Sequence, residues 1–409
     1  RISTRNFEAI TTEAMNRLIT SLLILLIAFQ SCMKPDKPNN LIMINSPAGA
    51  NSEEPFLTTG ADGNVYMSWL EKDQNKATLF YSQLTDEKWS DPVKIAQGSD
   101  WFVNWADHPV MAVNKSGDMI AHYLQKSDSA TFAYDIKIVT KRSGELQWSE
   151  PIKLHNDTVN AEHGFVSMQP MKNDNFLISW LDGRNTTSSG HGHGKGSMTI
   201  RAANLNPNGN KLEEWELDNR VCDCCGTTSG TIENGAVVVY RNRTENEVRD
   251  MSIVRYVNNQ WTKPTPVFND NWKIAGCPVN GPSLSTINNT LAIGWFTAAD
   301  EKPKVNLSFS NNSGATLDQP IQVDMGNPLG RLKVELLDTK TAFISWMEGD
   351  QIVAAKVEQS GQIIQRYSLA SSSTDRGSGF PQITAINNDM IVAWTDAKLK
   401  KVKTGILKL

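Results

Sequence analysis

The chain lacks a charge excess, a long apolar run and all but a few cysteines. Its 409 residues carry a formal net charge of -4, which excludes the basic footprint of a nucleic-acid-binding protein. The basic run 398–403 alternates with apolar residues and is interpreted as the solvated face of a strand. No apolar run reaches the length that spans a bilayer, and only five cysteines are present, three of them within residues 221–225.

The apolar run near the beginning of the chain predicts an export signal. Residues 18–29 are apolar except for Thr20 and Ser21, and Cys32 follows closely. This arrangement resembles a bacterial lipoprotein signal, in which Cys32 is lipidated; the alternative is an ordinary secretory signal. We therefore expect a leader at 1–32, with 1–14 interpreted as untranslated, and a polar tether at 33–39.

The remainder of the sequence repeats a short apolar strand, a tight turn and a second strand that ends in an aromatic residue. The turns are rich in Asn, Asp and Gly, which supply positive-φ hairpins. The interval between these aromatics is 48 to 60 residues, which is typical of propeller blades. The strand-end aromatics are Trp69, Tyr123, Trp180, Tyr240, Trp295, Trp346 and Trp394.

This repeat predicts an all-β propeller of four-stranded blades that forms one domain over residues 40–409. Seven inner hairpins favour seven blades, with six as the alternative. The last repeat has only three strands, so we expect the segment NLIMIN at 40–45 to supply its outer strand and close the ring.

Unusual residues gather on one predicted face. In a propeller, the loop leading into each blade (its leading loop) and the loop between its second and third strands share one face. The leading loops are predicted at 98–109, 155–165, 218–229, 269–282 and 371–381, and the other long loops at 182–197 and 241–250. They carry His108, His163, His191, His193, Arg184, Arg241, Arg243, Arg249 and Arg376. Loops of this length rarely occur without a role, so we expect the functional site here.

The turn sequences resemble those of the sialidase (neuraminidase) superfamily of Asp-box, or BNR-repeat, propellers. The run 310–317, SNNSGATL, is similar to the Asp-box S-x-D-x-G-x-x-W. In blade four, Cys225, ENG at 233–235, VVVYRNR at 237–243 and SIVRYVNNQW at 252–261 resemble the family's run of cysteine, hairpin, arginine and Asp-box. The VCDCC and GCPVNGP motifs resemble a divergent subgroup of exported bacterial proteins.

The resemblance implies an exo-glycosidase with an arginine clamp for an anionic substrate. Arg241 matches one arginine of the clamp by its motif, and the remaining candidates are Arg184, Arg249 and Arg376. The family's first-blade arginine has no counterpart in EEPFLTT at 53–59, and none of the seven tyrosines carries a nucleophile motif.

Other site candidates follow from residue type and loop position alone. Asp107, Asp182, Asp250 and Glu162 are candidates for a carboxylate pair in another glycosidase mechanism. Trp105 and Trp272, in leading loops, are candidates for stacking on a sugar or for covering the blades.

Three interpretations of the cysteines stay open. Cys222, Cys224, Cys225 and Cys277 lie in the leading loops of adjacent blades, so two disulfides are one prediction for an exported chain. A copper or zinc site that adds His191 or His193 is the second, and a redox-active thiol site is the third.

The sequence thus predicts an exported, lipid-anchored envelope protein, on the periplasmic or outer surface. Its partner is predicted to be a glycan or another small anionic ligand, with no nucleic acid and with membrane contact only through the anchor. The alternative function is a non-catalytic propeller that binds a ligand or handles copper or zinc through its cysteine-rich loops, and these metals are the only cofactors that the sequence suggests.

Overall fold

Each repeat places nearly continuous apolar residues on its second strand, which indicates a strand buried on both faces. A computed structural model of the protein describes residues 41–186 and 196–409, and within those ranges no helix is long and apolar enough to cross a membrane. The described chain is almost entirely antiparallel β-structure, with two short 3-10 helices at Ala299–Glu301 and Arg376–Ser378.

The strands form seven antiparallel sheets arranged as blades. The first strand is β1 (Leu41–Ile44). Blade 1 contains β2 (Ser52–Thr59), β3 (Val65–Asp73), β4 (Lys76–Thr85), β5 (Lys88–Trp89) and β6 (Val93–Gly98). Blade 2 contains β7 (Met111–Val113), β8 (Met119–Lys126), β9 (Tyr134–Lys141) and β10 (Ile152–Lys153). Blade 3 contains β11 (His163–Pro170), β12 (Phe176–Asp182), β13 (Thr199–Leu205) and β14 (Lys211–Asp218).

The remaining four blades repeat the pattern. Blade 4 contains β15 (Thr228–Ile232), β16 (Gly235–Arg241), β17 (Met251–Val257), β18 (Gln260–Trp261) and β19 (Thr265–Pro266). Blade 5 contains β20 (Ser283–Ile287), β21 (Thr290–Thr297), β22 (Lys304–Ser310) and β23 (Ile321–Gln322). Blade 6 contains β24 (Pro328–Leu336), β25 (Thr341–Glu348), β26 (Gln351–Glu358) and β27 (Ile363–Ser371). Blade 7 contains β28 (Gln382–Ile386), β29 (Asp389–Asp396) and β30 (Lys401–Lys408).

The ring closes through the two ends of the described chain. Strand β1 pairs antiparallel with β30, with Leu41 opposite Leu407 and Ile44 opposite Thr404, and so becomes the outer strand of blade 7. The predictions of seven blades and of closure by the 40–45 segment are confirmed. Closure leaves blade 7 with four strands instead of an unpaired edge.

The predicted hairpin turns adopt the backbone expected of Asn, Asp and Gly. Positive φ angles occur at Gly63, Gly117, Asp174, Asn288 and Asn387, each in a turn between the first and second strand of a blade. The 310–317 segment likewise turns between the third and fourth strands of blade 5, where the Ser310 hydroxyl accepts a hydrogen bond from the Gly314 N–H at 3.0 Å.

The strand-end aromatics are core residues whose polar edges are held by carboxylates. Trp69, Trp180, Trp295 and Trp346 are among the largest fully buried side chains. An indole N–H donates to a carboxylate in four blades, and a tyrosine hydroxyl does so in a fifth. The pairs are Trp69–Glu71 at 2.9 Å, Trp180–Asp182 at 2.8 Å, Tyr240–Asp218 at 2.7 Å, Trp295–Asp270 at 2.7 Å and Trp346–Glu348 at 2.6 Å.

Two of these carboxylates, Glu71 and Glu348, also hold the leading loop of their own blade. Glu71 accepts the Gly49 N–H at 2.6 Å, and Glu348 accepts the N–H groups of Met325 and Asn327. Asp270 is itself a leading-loop residue, and Asp218 is the last residue of β14, directly before the leading loop of blade 4. One buried aromatic therefore couples the end of the second strand to the loop that begins its blade. Because a buried acceptor without a donor is costly, we expect this coupling to contribute to stability.

We predict that Trp346→Phe lowers the free energy of unfolding by about 2 kcal/mol, because the ring stays apolar but Glu348 loses its indole donor. Urea denaturation measures the change. Trp148→Phe is the matched control, because the Trp148 Nε1 has no hydrogen-bond partner in the described part of the chain; its effect should stay below about 1 kcal/mol. Equal losses in both variants would show that the indole–carboxylate bond contributes nothing.

Candidate functional site

The inner strands of the blades surround a central cavity of about 390 Å³. A volume in this range accommodates a small ligand. Much of its lining is polar, because serine, threonine and glutamine side chains from several blades face it. The titratable lining residues are Asp107, His108, Lys333 and Glu335.

Lys333 and Glu335 bring opposite charges into this cavity from the same face of strand β24. Burial raises the pKa of Glu335 to about 7, although the charge of Lys333 acts to lower it and the Ser285 hydroxyl donates to the carboxylate at 3.2 Å. Burial lowers the pKa of Lys333. Burial, with the charge of Lys333, also lowers the pKa of His108 to about 4, so this imidazole is neutral at pH 7. The cavity therefore contains an acid–base group that titrates near neutrality.

Aromatic side chains cover the end of the cavity on the face of the leading loops. Trp105 stacks on Phe380 with ring centroids 5.6 Å apart, and the guanidinium of Arg331 lies 4.8 Å from the Trp105 ring. Arg331 is held by the 374–379 loop through Ser378 and backbone carbonyls of that loop. Trp105 is half-buried, and its stacking partner Phe380 lines the cavity.

Asp107 belongs to a buried cluster with Tyr134 and Glu162. The Tyr134 hydroxyl lies 3.1 Å from Asp107 Oδ2 and 2.9 Å from Glu162 Oε1, and the Phe165 N–H donates to Asp107 Oδ1 at 2.6 Å. Burial raises the pKa of Asp107 to about 8, with the charge of Glu162 adding to the rise. The Tyr134 hydroxyl has one proton to donate but lies near two carboxyl oxygens. With its raised pKa, the Asp107 carboxyl group keeps its own proton at pH 7.

Asp182 and Arg184 pair with each other inside the protein. Arg184 donates to both carboxylate oxygens of Asp182 at 2.7 Å, and Trp180 donates as well. His163 lies 3.7 Å from Asp182 and stacks on His155 with ring centroids 3.7 Å apart. Burial acts to raise the pKa of Asp182, but Arg184 and His163 outweigh it and hold that pKa low. Asp182 occupies the same position as Glu71 and Glu348, so its role in this structure is to hold its blade together.

Arg241, the residue expected in an arginine clamp, is buried and bonded to backbone carbonyls in this structure. Its guanidinium is 2% exposed and donates to the backbone carbonyls of Asn280, Arg249 and Phe296 at 2.7 to 3.0 Å. Trp272 is also buried, 4.9 Å from the Arg241 guanidinium, so it provides no exposed platform for a sugar. The arginine crosslinks loops of blades 4 and 5 because their carbonyls converge on it.

Asp250 and Arg376 are placed apart from the cavity lining. Asp250 accepts the backbone N–H groups of Asn271 and Trp272, both at 2.9 Å, and so fixes the leading loop of blade 5. Arg376 is exposed in the short helix of the 371–381 loop. Cys32, His191 and His193 lie outside the described residues.

The four remaining cysteines converge where the leading loops of blades 4 and 5 meet. Cys222 Sγ lies 3.8 Å from Cys224 Sγ and 3.5 Å from Cys225 Sγ, and all three are buried. Cys277 lies close to Cys224 and is exposed. The predicted disulfides are absent among the described residues, because these separations far exceed the S–S bond length of about 2.05 Å.

Arg249 faces this cysteine cluster, and its guanidinium, like that of Arg241, is bonded within the protein. Its guanidinium lies 3.2 Å from Cys222 Sγ, 3.3 Å from Asp223 and 2.9 Å from Glu247. Burial acts to raise the pKa of Cys222, but hydrogen bonds with Cys224 and Cys225 and the charge of Arg249 outweigh it, so the pKa is well below the ordinary thiol value. The cluster therefore favours a thiolate at Cys222.

Lys333, Glu335 and Tyr134 are the notable residues that sequence reasoning missed. The signal for the first two is in GRLKVEL at 330–336, where charged residues alternate with apolar ones on an inner strand. Such alternation predicts a polar face directed at the channel. Tyr134 has no comparable signal, since only folding brings it to Asp107 and Glu162.

No family model matches this chain, and no curated protein matches it. Among solved structures, the polysaccharide lyase Uly1 is similar with a TM-score of 0.52 and 7% identity, over 92% of this chain and 91% of its own. An α-L-arabinanase of Penicillium chrysogenum, complexed with arabinobiose, has a TM-score of 0.50 and 7% identity, over 90% and 97%. The NanB sialidase of Streptococcus pneumoniae has a TM-score of 0.44 and 14% identity, over 91% and 71%. At these identities the likeness shows the fold alone, which is a β-propeller.

We predict that Asp107→Asn reduces the pH dependence of stability. The folded protein keeps the Asp107 proton up to pH about 8, whereas the unfolded chain releases it near its ordinary value of 3.8. The fold thus binds more protons between these values, and the free energy of unfolding falls as pH rises through them. Urea denaturation at pH 5 and pH 8.5 should show a smaller fall in the variant.

The matched control for this experiment is Asp91→Asn, at an exposed aspartate. It should show the same fall in stability between the two pH values as the unaltered protein. If Asp107→Asn also keeps the full fall, Asp107 does not hold the additional proton.

Proposed function

We propose that this protein binds a glycan in the central cavity and hydrolyses a glycosidic bond there, with Glu335 as the acid–base group. The observation that carries the proposal is the carboxyl group of Glu335, which faces the cavity with a pKa of about 7. A carboxylic acid that is partly protonated at neutral pH can donate a proton to the leaving sugar oxygen while water adds to the anomeric carbon, and the proton that this water releases restores the Glu335 acid.

The lining supports a saccharide as the ligand. Gln382 lines the cavity, and its buried Oε1 has no hydrogen-bond partner among the described residues, so a sugar hydroxyl can donate to it. The Phe56 ring offers an apolar surface. Lys333, 5.2 Å from that ring, supplies a positive charge for an anionic sugar.

Asp107 is the second carboxyl group of the proposed site. It borders the cavity from the leading loop of blade 2, three blades from Glu335 around the ring, with a pKa of about 8. Tyr134 and Glu162 hold it in place. The likeness in fold to an arabinanase and to a polysaccharide lyase agrees with a saccharide ligand, while the choice of residues depends on the cavity.

The test is a screen of aryl glycosides, sialosides and polysaccharides for binding by calorimetry and for hydrolysis. On a substrate that is turned over, kcat/KM should fall as pH rises through about 7, because Glu335 then loses the proton that it must donate. Glu335→Gln should lower kcat by about 10²- to 10⁴-fold while binding persists.

Glu213→Gln, at an exposed position on an outer strand, is the matched control and should leave kcat unchanged. Unchanged turnover in Glu335→Gln would remove Glu335 from the mechanism. Binding without turnover would support the non-catalytic alternative, and the absence of binding to any saccharide would overturn the proposal.

We also propose that the chain is exported and anchored by lipidation of Cys32, on the strength of the apolar run and the cysteine behind it. Metabolic labelling with radioactive palmitate in a bacterial host should mark the protein, and Cys32→Ala should abolish the label. An unlabelled protein that is still secreted would instead support an ordinary secretory signal.

A further inference from the structure

Two leading loops meet where the cysteines converge. The backbone of 221–226 is fixed by hydrogen bonds, since the Cys222 N–H donates to the Arg241 carbonyl at 3.0 Å and the Val221 N–H donates to Met198 at 2.9 Å. A Cβ on Gly281 would lie 2.2 Å from the Gly226 carbonyl oxygen, so glycine is required for this close approach of the two loops. The packing that holds the loops therefore also preforms the arrangement of the sulfurs.

The sulfurs of Cys222, Cys224 and Cys225 are spaced as ligands of one ion. Tetrahedral coordination with metal–sulfur bonds of about 2.3 Å places sulfurs about 3.8 Å apart. The separations of Cys222 Sγ from Cys224 Sγ and Cys225 Sγ are 3.8 and 3.5 Å. The ligand atoms of Asp223, Cys224 and Cys277 also lie within 4.8 Å of one another. Cys224 thus adjoins both the buried thiols and the exposed one.

The surrounding charges suit a thiolate site better than a pair of disulfides. Arg249 donates to Cys222 Sγ from a buried position, and a charged donor aimed at sulfur is best matched by a negative sulfur. Asp223 and Glu247 fix the same guanidinium. Hydrogen bonds of this kind around metal ligands orient them and tune the affinity of the site.

We propose that Cys222, Cys224 and Cys225 bind one thiophilic cation, Zn²⁺ or Cu(I), with Cys277 as the fourth ligand from the adjacent blade. Thiolates select these ions over hard cations. Binding displaces the thiol protons to solvent and involves no change of oxidation state. Because the ligands come from two leading loops, the ion joins blades 4 and 5, and the exposed Cys277 marks the side from which it enters.

The test uses the full chain without an affinity tag, reduced and handled without oxygen. Separate samples are loaded with Zn²⁺ and with Cu(I), and metal analysis should give one equivalent per chain for at least one of the two ions. A competing Cu(I) chelator then tests whether bound Cu(I) is held tightly. Co²⁺, a spectroscopic substitute for Zn²⁺, should show sulfur-to-metal charge-transfer absorption. That intensity should fall by roughly one quarter in Cys277→Ser, as one thiolate of four is lost.

Asp91→Asn, at an exposed position of blade 1, is the matched control and should keep the full equivalent, whereas Cys222→Ser should lose it. If Cys222→Ser does not fold, a measurement on the unaltered chain still tests the proposal. There, loading with the cation should slow alkylation of the exposed Cys277 relative to the same chain without the cation.

Two results would overturn the proposal. One is a purified chain that weighs four hydrogens less than the fully reduced chain, which shows two disulfides, and that binds no cation after reduction. The other is a reduced, folded chain that binds neither Zn²⁺ nor Cu(I). Neither result bears on hydrolysis in the central cavity, because Glu335 and the cysteines belong to separate parts of the molecule.

Discussion

The hydrogen bond from a buried strand-end aromatic to a carboxylate is the interaction on which the arrangement of the blades depends. A large indole fills the blade core, yet its N–H must be satisfied there, and a carboxylate meets that need. In blades 1 and 6 the same carboxylate accepts backbone N–H groups of the leading loop. The core residue that stabilises the sheet therefore also positions the loop beside the functional face.

This constraint explains why so many charged residues on the loop face are engaged within the protein. Asp182 accepts from Trp180 and Arg184, Asp250 fixes a loop, and Arg241 donates to three backbone carbonyls. Long loops carry many backbone polar groups that the core does not pair, and buried charged side chains satisfy them. Charge on these loops therefore indicates how they are held more often than what they bind.

Two chemically distinct sites remain once these structural charges are assigned. The central cavity offers Glu335, Lys333 and Asp107 in a polar enclosure, where burial brings the pKa values of both carboxyl groups near neutrality. The cysteine cluster offers soft ligands at the junction of blades 4 and 5. The first draws Lys333 and Glu335 from an inner strand and Asp107 from the leading loop of blade 2, whereas the second draws its ligands from the leading loops of blades 4 and 5.

The sequence by itself determined the seven-bladed propeller, its closing strand and the convergence of the cysteine loops. Strand periodicity and turn chemistry are local properties, and local sequence encodes them. Only the tertiary structure decided that Arg241 and Trp272 are buried, that Asp182 supports a blade, and that Glu335 and Lys333 share a cavity. Burial and pairing depend on residues distant in the chain, such as Asn280 for Arg241, and a linear pattern carries no record of those contacts.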